Sequence, residues 1–424
     1  MRIEILRGRV VDPVARTDRV EPVYVADGSI VAVGAAPAGF RAERTIEASG
    51  LVVAPGLIDL NARLREPGLE HKATLDSELK AAIAGGVTRL ACPPDTDPPL
   101  DEPGLVEMLT RRARHANRAH VHPVGALTLR LEGATLTEMG ELADAGCVAY
   151  SQGDAPLPDA QVMLRAMQYA ATFRHRVWLR PQDPSLARGG VAHEGEMSTR
   201  LGLPAVPSCA ESVALATILA LARETGVRVH LQRLSTAEGV AMVRDAKRAG
   251  LAVTCEVAAH HLHLCDVDIG WFDAQARFDP PLRGTRDRAA LRAGLADGTI
   301  DVVSSDHAPV DDDAKLVPFG EAEPGATGLE LLLSLTLKWA AEEHVSLPDA
   351  IARVTSAPAA ILGVAAGRIA VGAVADLCVF DPASHWRVER NALASQGKNT
   401  PFLGLELSGR VRWTLVGGQV VHEA

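Results

Sequence analysis

Eight short apolar segments, most of them followed by an amphipathic helical pattern, fill the middle of the chain between residues 53 and 366. Repeated β-then-α units predict a (β/α)8 barrel of the TIM type, an α/β fold in which functional side chains lie at the C-terminal ends of the strands. An open doubly wound sheet is the alternative, although no glycine-rich dinucleotide loop follows any of the strands. The predicted strands are Leu57–Leu60, Val87–Cys92, His120–Gly125, Cys147–Tyr150, Val177–Arg180, Val227–Leu231, Ala252–Val257 and Val302–Ser305.

Both ends of the chain have a different character from its middle. Residues 1–52 contain short alternating strands broken by turn signals, and residues 367–424 repeat that pattern. Strands at both termini, with helices between them, predict one composite β-sandwich domain assembled from the two ends. We therefore expect this small domain beside the barrel.

Composition narrows the class of protein. A length of 424 residues suits a large barrel with a smaller domain, and a net charge of −10 argues against a nucleic-acid or anionic-membrane partner. The six cysteines are scattered without a C-x-x-C motif, which is typical of reduced, buried thiols. With no apolar signal region and no long apolar run, the expected location is the cytoplasm.

The segment Pro55–Gly68 is the most informative stretch for function. Its first half is an apolar strand, in which alternate residues share a face, so Asp59, Asn61, Arg63 and Arg65 point the same way. Four polar side chains on one face indicate a site rather than a core. The segment resembles the first barrel strand of dihydroorotases and related cyclic amidohydrolases, PGLIDLHxHLREPG, whose two histidines bind a catalytic metal.

Other motifs extend the resemblance along nearly the whole chain. They are Gly189-Gly190-Val191, Glu194-Gly195-Glu196, Leu201-Gly202-Leu203-Pro204, Gly328-Leu329-Glu330 and Gly397-Lys398-Asn399-Thr400-Pro401-Phe402. The resemblance implies a metal-dependent amidohydrolase barrel with a composite β-domain.

The histidine ligands that the resemblance implies are missing from this chain. In the family, two come from H-x-H after the first strand and one each from the ends of the fifth and sixth strands. The corresponding residues here are Asn61, Arg63, Arg180 and Arg233. A guanidinium group is always protonated and has no lone pair to give a metal. The sequence therefore predicts that zinc, as in active relatives, is absent.

The remaining ligand positions differ from each other. Members of the family carry a carboxylated lysine or an aspartate after the fourth strand, but no lysine lies between Lys80 and Lys247. After the eighth strand, Asp306 in Ser-Asp-His-Ala-Pro matches the family's TDHAP. Asp306 is thus the retained acid of an otherwise degenerate set.

The positions that contact substrate in the family are partly retained. Arg65 matches the arginine that holds the dihydroorotate carboxylate, whereas Asp95 and Asp279 replace asparagines of PNTNP-like and NPPLR motifs. Carboxylates at these two positions repel an anionic substrate. We therefore interpret the three residues as a vestigial substrate site.

Four arginines at one barrel mouth need compensating charges, because an unpaired buried charge costs several kcal/mol. We expect Arg63, Arg65, Arg180 and Arg233 to form a network with Asp95, Asp154, Asp279 and Asp306 in place of the metal centre. Two histidine clusters, His260-His261-x-His263 and His120-x-His122, are weaker alternatives for metal binding. His307 is expected to fix loop structure.

The overall pattern resembles the inactive dihydroorotase-like chains that accompany aspartate carbamoyltransferase in some bacteria. That resemblance implies a noncatalytic scaffold in de novo pyrimidine biosynthesis, assembled as a homo- and hetero-oligomer. Two alternatives remain open at this point. One is an active cyclic amidohydrolase with a nonstandard site, and the other is a regulator that binds an anionic metabolite in the arginine-rich pocket.

Overall fold

A computed structural model describes all 424 residues, and its centre is a parallel eight-stranded barrel. Each strand pairs with its neighbours in chain order, so the open doubly wound alternative is wrong. The strands are Leu57–Asp59, Val87–Cys92, His120–Ala126, Ala149–Ser151, Arg176–Leu179, Arg228–Leu231, Val253–Ala258 and Val302–Ser304. The principal helices around them are Leu75–Ala84, Pro103–Ala116, Met139–Asp144, Ala160–Thr172, Cys209–Thr225, Ala237–Arg248, Thr285–Ala296 and Leu332–Glu342.

The barrel closes through the segments that follow its first and last strands. The His307 amide donates to the Asn61 carbonyl at 3.1 Å, and the Arg63 amide donates to the His307 carbonyl at 2.9 Å. These two backbone hydrogen bonds hold Asn61 and Arg63 beside Asp306. The closure itself therefore assembles part of the candidate site.

The opposite, N-terminal end of the barrel is closed by apolar packing. Ile58, Val124, Trp178 and Val302 form a cluster there with residues of the short helix Ser356–Leu362. This cluster closes the barrel interior from below, and the polar residues after the strands lie at the other end, as in barrel enzymes generally.

The two chain ends build a pair of β-sheets. Arg2–Leu6, Val23–Ala26, Ser29–Val33 and Arg44–Glu47 form one, and Arg9–Asp12, Thr17–Val20, Val52–Pro55, Leu377–Arg387, Glu406–Val416 and Gln419–Glu423 form the other. Side chains of both sheets, including Ile3, Ile5, Val53, Leu377 and Val379, share one buried cluster.

The strand Val52–Pro55 connects the two cores of the molecule. Val53 packs between the sheets of the sandwich, whereas Val52 and Ala54 belong to the main barrel cluster. Successive side chains of a strand point to opposite faces, so one strand serves both cores. No helix of the chain has the length and apolar character needed to span a membrane.

Candidate functional site

Arg63 lies at the centre of the barrel mouth and is 6% exposed. Its Nε atom lies 2.7 Å from Asp95, Nη2 lies 2.6 Å from Asp154, and Nη1 lies 3.2 Å from Asp306. Burial opposes the charge, but the three carboxylates outweigh it and raise the pKa of the Arg63 guanidinium. One side chain thus ties together the segments after the first, second, fourth and eighth strands.

Asp154 receives more cations than any other carboxylate of the site. Besides Arg63 it pairs with Arg180 at 3.3 Å and accepts a hydrogen bond from Nη2 of Arg233. Burial alone would raise the pKa of the Asp154 carboxyl, but the guanidiniums of Arg233, Arg63 and Arg180 hold that pKa well below its usual range. Asp154 is therefore ionised at neutral pH.

Asp95 and Asp279, the two acids that replace family asparagines, are also paired. Asp95 binds Arg63, and Asp279 binds Nη1 of Arg180 at 2.6 Å. Burial raises the pKa of Asp279, but Arg180 and Arg233 bring it below its ordinary value. Because each acid has a guanidinium partner, the repulsion of an anion expected from the acids alone is reduced.

The retained acid Asp306 is enclosed by donors. Its Oδ1 atom accepts from Nδ2 of Asn61 at 3.0 Å, and Arg63 and Arg233 lie 3.2 and 3.5 Å from the same oxygen. Burial raises the pKa of Asp306 more than the two arginines lower it. Asp306 and Arg233 both have positive φ, at 47° and 55°, so the backbone is strained where the site is most crowded.

Arg65 does not join the network, and the expectation for this arginine is wrong. Its Nε atom donates to the Pro309 carbonyl at 2.9 Å, and it forms no ion pair with any carboxylate. Burial and the nearby charge of Arg63 lower the pKa of Arg65. The network is therefore built by three arginines and four aspartates.

The histidines after the seventh strand do not converge on one point, although the rings of His260 and His261 lie 4.6 Å apart and Nε2 of His260 lies 4.0 Å from Asp306. His260 stacks on Phe278, with ring centroids 3.9 Å apart, while His261 and His263 lie 3.3 and 2.9 Å from backbone carbonyl oxygens. His120 lies at the far end of the barrel, 3.5 Å from Asp376. Neither alternative cluster assembles metal ligands, since no group of three or more His, Cys, Asp or Glu side chains could hold an ion.

His307 fixes loop structure, as expected. Its Nδ1 atom accepts from the Gly328 amide at 3.1 Å, so Nε2 carries the proton and donates to Glu78 at 2.6 Å. Glu78 in turn accepts hydrogen bonds from Ser395 and Gln396. His307 therefore anchors the mouth, through Glu78, to the residues just before the C-terminal Gly397–Phe402 motif.

Two further supports were not predicted from the sequence. Asn399 donates to the carbonyls of Ala308 and Gly325 and accepts from the Val310 amide. Glu211 accepts from the backbone and hydroxyl groups of the pair Ser235-Thr236, which begins two residues after Arg233. The Gly-Lys-Asn-Thr-Pro-Phe motif was a signal for the first, whereas nothing in the sequence around Glu211 indicated the second.

The donors around Asp306 do not fit the zinc that the dihydroorotase resemblance implies. Asn61 turns its amide N–H toward Asp306, and Arg63 and Arg233 bring positive charge where a cation would need lone pairs. A divalent ion here would require both guanidiniums to leave their carboxylate partners.

Comparison with known proteins places these observations in a family. Residues 50–239 match the model of the dihydro-orotase-like family, and residues 185–421 match that of the amidohydrolase family. A dihydroorotase-like protein from Pseudomonas putida is 46% identical, with 100% of this chain and 99% of that protein aligned. A dihydroorotase from Citrifermentans bemidjiense is 41% identical over the full length of both.

Solved structures support the fold. An L-hydantoinase from Arthrobacter aurescens superimposes with a TM-score of 0.89 and 24% identity, covering 99% of this chain and 96% of that one. A D-hydantoinase structure gives a TM-score of 0.84 with 24% identity, covering 100% of this chain and 95% of that one. The barrel, the motifs and these matches together show that the chain belongs to the dihydroorotase-like branch of the amidohydrolase family.

Proposed function

We propose that this chain is a noncatalytic dihydroorotase-like protein that serves de novo pyrimidine biosynthesis as a structural partner of aspartate carbamoyltransferase. The observation that supports a noncatalytic role is a set of arginine–aspartate ion pairs at the barrel mouth. Arg63 and Arg233 each contact both Asp154 and Asp306, at positions where the family resemblance implies metal ligands.

The charge balance of the mouth supports this proposal. Three guanidiniums, those of Arg63, Arg180 and Arg233, face four carboxylates, so most charges are already compensated. Hydrolysis of a cyclic amide in this family needs a metal to activate water and polarise the carbonyl. The arginines would repel such a cation while the carboxylates are engaged with them.

The loops around the mouth are well supported by side-chain hydrogen bonds. The contacts of His307, Asn399 and Glu211 hold the loops after the sixth and eighth strands in place. A scaffold needs this rigidity as much as an enzyme does. The choice of aspartate carbamoyltransferase as partner rests on the sequence resemblance to inactive dihydroorotase-like chains.

Co-expression tests the partnership. The tagged chain would be produced with the aspartate carbamoyltransferase catalytic chain of the same organism and analysed by size-exclusion chromatography and transferase assay. We expect one complex, with transferase activity that falls when the dihydroorotase-like chain is omitted. A transferase that has the same size and activity alone contradicts the partnership.

A separate assay tests the noncatalytic assignment. The purified chain would be analysed for metal content and for hydrolysis of dihydroorotate, with an active dihydroorotase as the positive control. We expect neither stoichiometric zinc nor turnover. Zinc at one equivalent or more together with hydrolysis would establish the chain as an enzyme with a nonstandard site.

Arg65 favours a second candidate, a regulator that binds an anionic metabolite. This largely buried guanidinium has a single side-chain hydrogen bond, to the Pro309 carbonyl, and retains capacity to bind a carboxylate. Thermal-shift measurements with carbamoyl aspartate, dihydroorotate and nucleotides would test it, with Arg65→Gln as the matched variant. A ligand that stabilises the wild type and not the variant would support this role.

A further inference from the structure

A cavity of about 490 Å³ lies at the N-terminal end of the barrel, opposite the mouth. It is formed by the beginnings of the fifth, sixth and seventh strands and by the helix Ser356–Leu362. Three arginines line it: Arg176, Arg228 and Arg353. Nothing in the function proposed above uses this cavity.

Two of these arginines, Arg176 and Arg228, lie side by side with like charges. Arg176 and Arg228 are register partners on adjacent parallel strands. Like charges directly opposite on neighbouring strands repel and lower stability. Burial and the charge of Arg228 both lower the pKa of Arg176, which agrees with this geometry. The pair therefore lacks a counter-charge.

The three cations are only partly balanced, because burial lowers the pKa of Arg353 more than the charges of Asp301, Asp349 and Asp297 raise it. None of Arg176, Arg228 and Arg353 forms an ion pair; their side chains donate only to backbone carbonyls. Asp301, the one carboxylate lining the cavity, is engaged by Lys247 at 2.7 Å and by the Cys255 amide at 2.8 Å. A concentration of positive charge in a chain of net charge −10 stands out against the rest of the molecule.

Two residues of the lining carry buried donors without acceptors. The indole of Trp178 is 0% exposed and its Nε1–H has no hydrogen-bond partner, and Nε of Arg353 is likewise unpartnered. A buried donor left unsatisfied has lost its hydrogen bonds to water without replacement, which destabilises the fold. Val229, Val253 and Ile361 add an apolar wall. The lining thus combines excess donors with an apolar surface.

We propose that this cavity is a binding site for a small organic oxyanion, whose carboxylate or phosphate head is held by Arg176, Arg228 and Arg353 and whose apolar body lies against Val253 and Ile361. Guanidinium groups bind planar or tetrahedral oxyanions through paired hydrogen bonds. The volume falls within the range of small-molecule sites. This site is separate from the barrel mouth and does not depend on its chemistry.

Calorimetric titration with three probes tests the proposal. Phenyl phosphate and benzoate present the two head groups on the same apolar body, and inorganic phosphate presents a head group alone. We expect phenyl phosphate or benzoate to bind the wild type, more tightly than inorganic phosphate does. Which of the two binds more tightly identifies the head group.

Arginine variants assign the binding to this cavity. Arg228→Gln is suitable because Arg228 is exposed, and Arg353→Gln provides a second variant. Arg165→Gln is the control, because Arg165 is exposed on an outer helix and bonds only to Gln168. We expect each cavity variant to weaken binding at least tenfold and the control to leave it unchanged.

Melting temperatures give an independent readout. Without an anion, Arg228→Gln should melt higher than the wild type because it removes the repulsion with Arg176. With saturating phenyl phosphate the wild type should gain more than the variant. Failure of all three probes to bind at millimolar concentration, or binding that none of the cavity variants weakens, would overturn the proposal. Neither result bears on the transferase partnership.

Discussion

Nη2 of Arg63 lies 2.6 Å from Oδ2 of Asp154, which joins the end of the first barrel strand to the loop after the fourth. In the family pattern both segments supply metal ligands. Here they are held together by an ion pair instead. This ion pair is part of a cluster in which Asp154 contacts three arginines, more than any other carboxylate of the site. Asp154 is therefore the residue whose loss should affect the cluster most.

Asp154→Asn should lower the free energy of unfolding by about 2–3 kcal/mol. Removing one partner of a buried ion pair costs about 3–5 kcal/mol, and the value is smaller here because 39% of the Asp154 side chain is exposed. Urea unfolding would measure the change as a shift of the midpoint at constant slope. Asp245→Asn, which removes a single exposed pair with Arg248, is the control and should change stability by less than about 0.5 kcal/mol.

The stability difference between the wild type and Asp154→Asn should depend on pH. The pKa of Asp154 is lower in the folded chain than in the unfolded one, so its ionised form stabilises the fold above the unfolded value of about 3.9. That contribution is lost as pH falls below this value. The difference in unfolding free energy between wild type and Asp154→Asn should therefore be constant from pH 7 to 5 and shrink from pH 4 downward. A difference that stays constant down to pH 3 would contradict the assignment.

Zinc should discriminate between the wild type and a variant with restored histidines. The wild type should show no rise in Tm with added zinc, because Arg63 and Arg233 engage the carboxylates that would bind it. The quadruple variant Asn61→His, Arg63→His, Arg180→His and Arg233→His replaces the three cations with imidazoles. It should gain thermal stability with zinc and lose that gain when EDTA is added. A zinc-dependent rise of Tm in the wild type would contradict this prediction.

The barrel could be predicted from the sequence because its strands are short apolar runs that alternate with amphipathic helices. The strand Val87–Cys92 has the predicted bounds, and so does the helix that amphipathic periodicity predicts over Leu75–Ala84. The same periodicity predicts a helix over Leu136–Ala145, but that helix begins only at Met139, because Leu136 forms a β-bridge with Thr128. Periodicity alone does not report such a tertiary contact.

The residues of the network could be predicted from the sequence, but only some of the ion pairs between them could be. Charge compensation required acids near Arg63, Arg180 and Arg233, and the structure places them there. Arg65 was grouped with them because it shares a strand face with Arg63. Its positive φ of 64° and its bond to Pro309 take it out of the network, and neither is evident from residue order.

Asn399→Ala should lower the free energy of unfolding by about 2–4 kcal/mol. Asn399 is 3% exposed, and its side chain makes three hydrogen bonds, to Val310, Ala308 and Gly325. Truncation leaves those buried backbone groups without partners, at a cost of about 1–3 kcal/mol each where water cannot replace the amide.

Asn391→Ala is the matched control for Asn399→Ala, since Asn391 is exposed and its side chain makes no hydrogen bond. It should change unfolding by less than about 0.5 kcal/mol. Hydrogen exchange adds a local test: the Val310 amide should lose protection in Asn399→Ala while the strand Val87–Cys92 keeps it. If both variants behave like the wild type, Asn399 does not hold the loop after the eighth strand. In that case the loop after the eighth strand is held by other contacts, among them the one between His307 and Glu78.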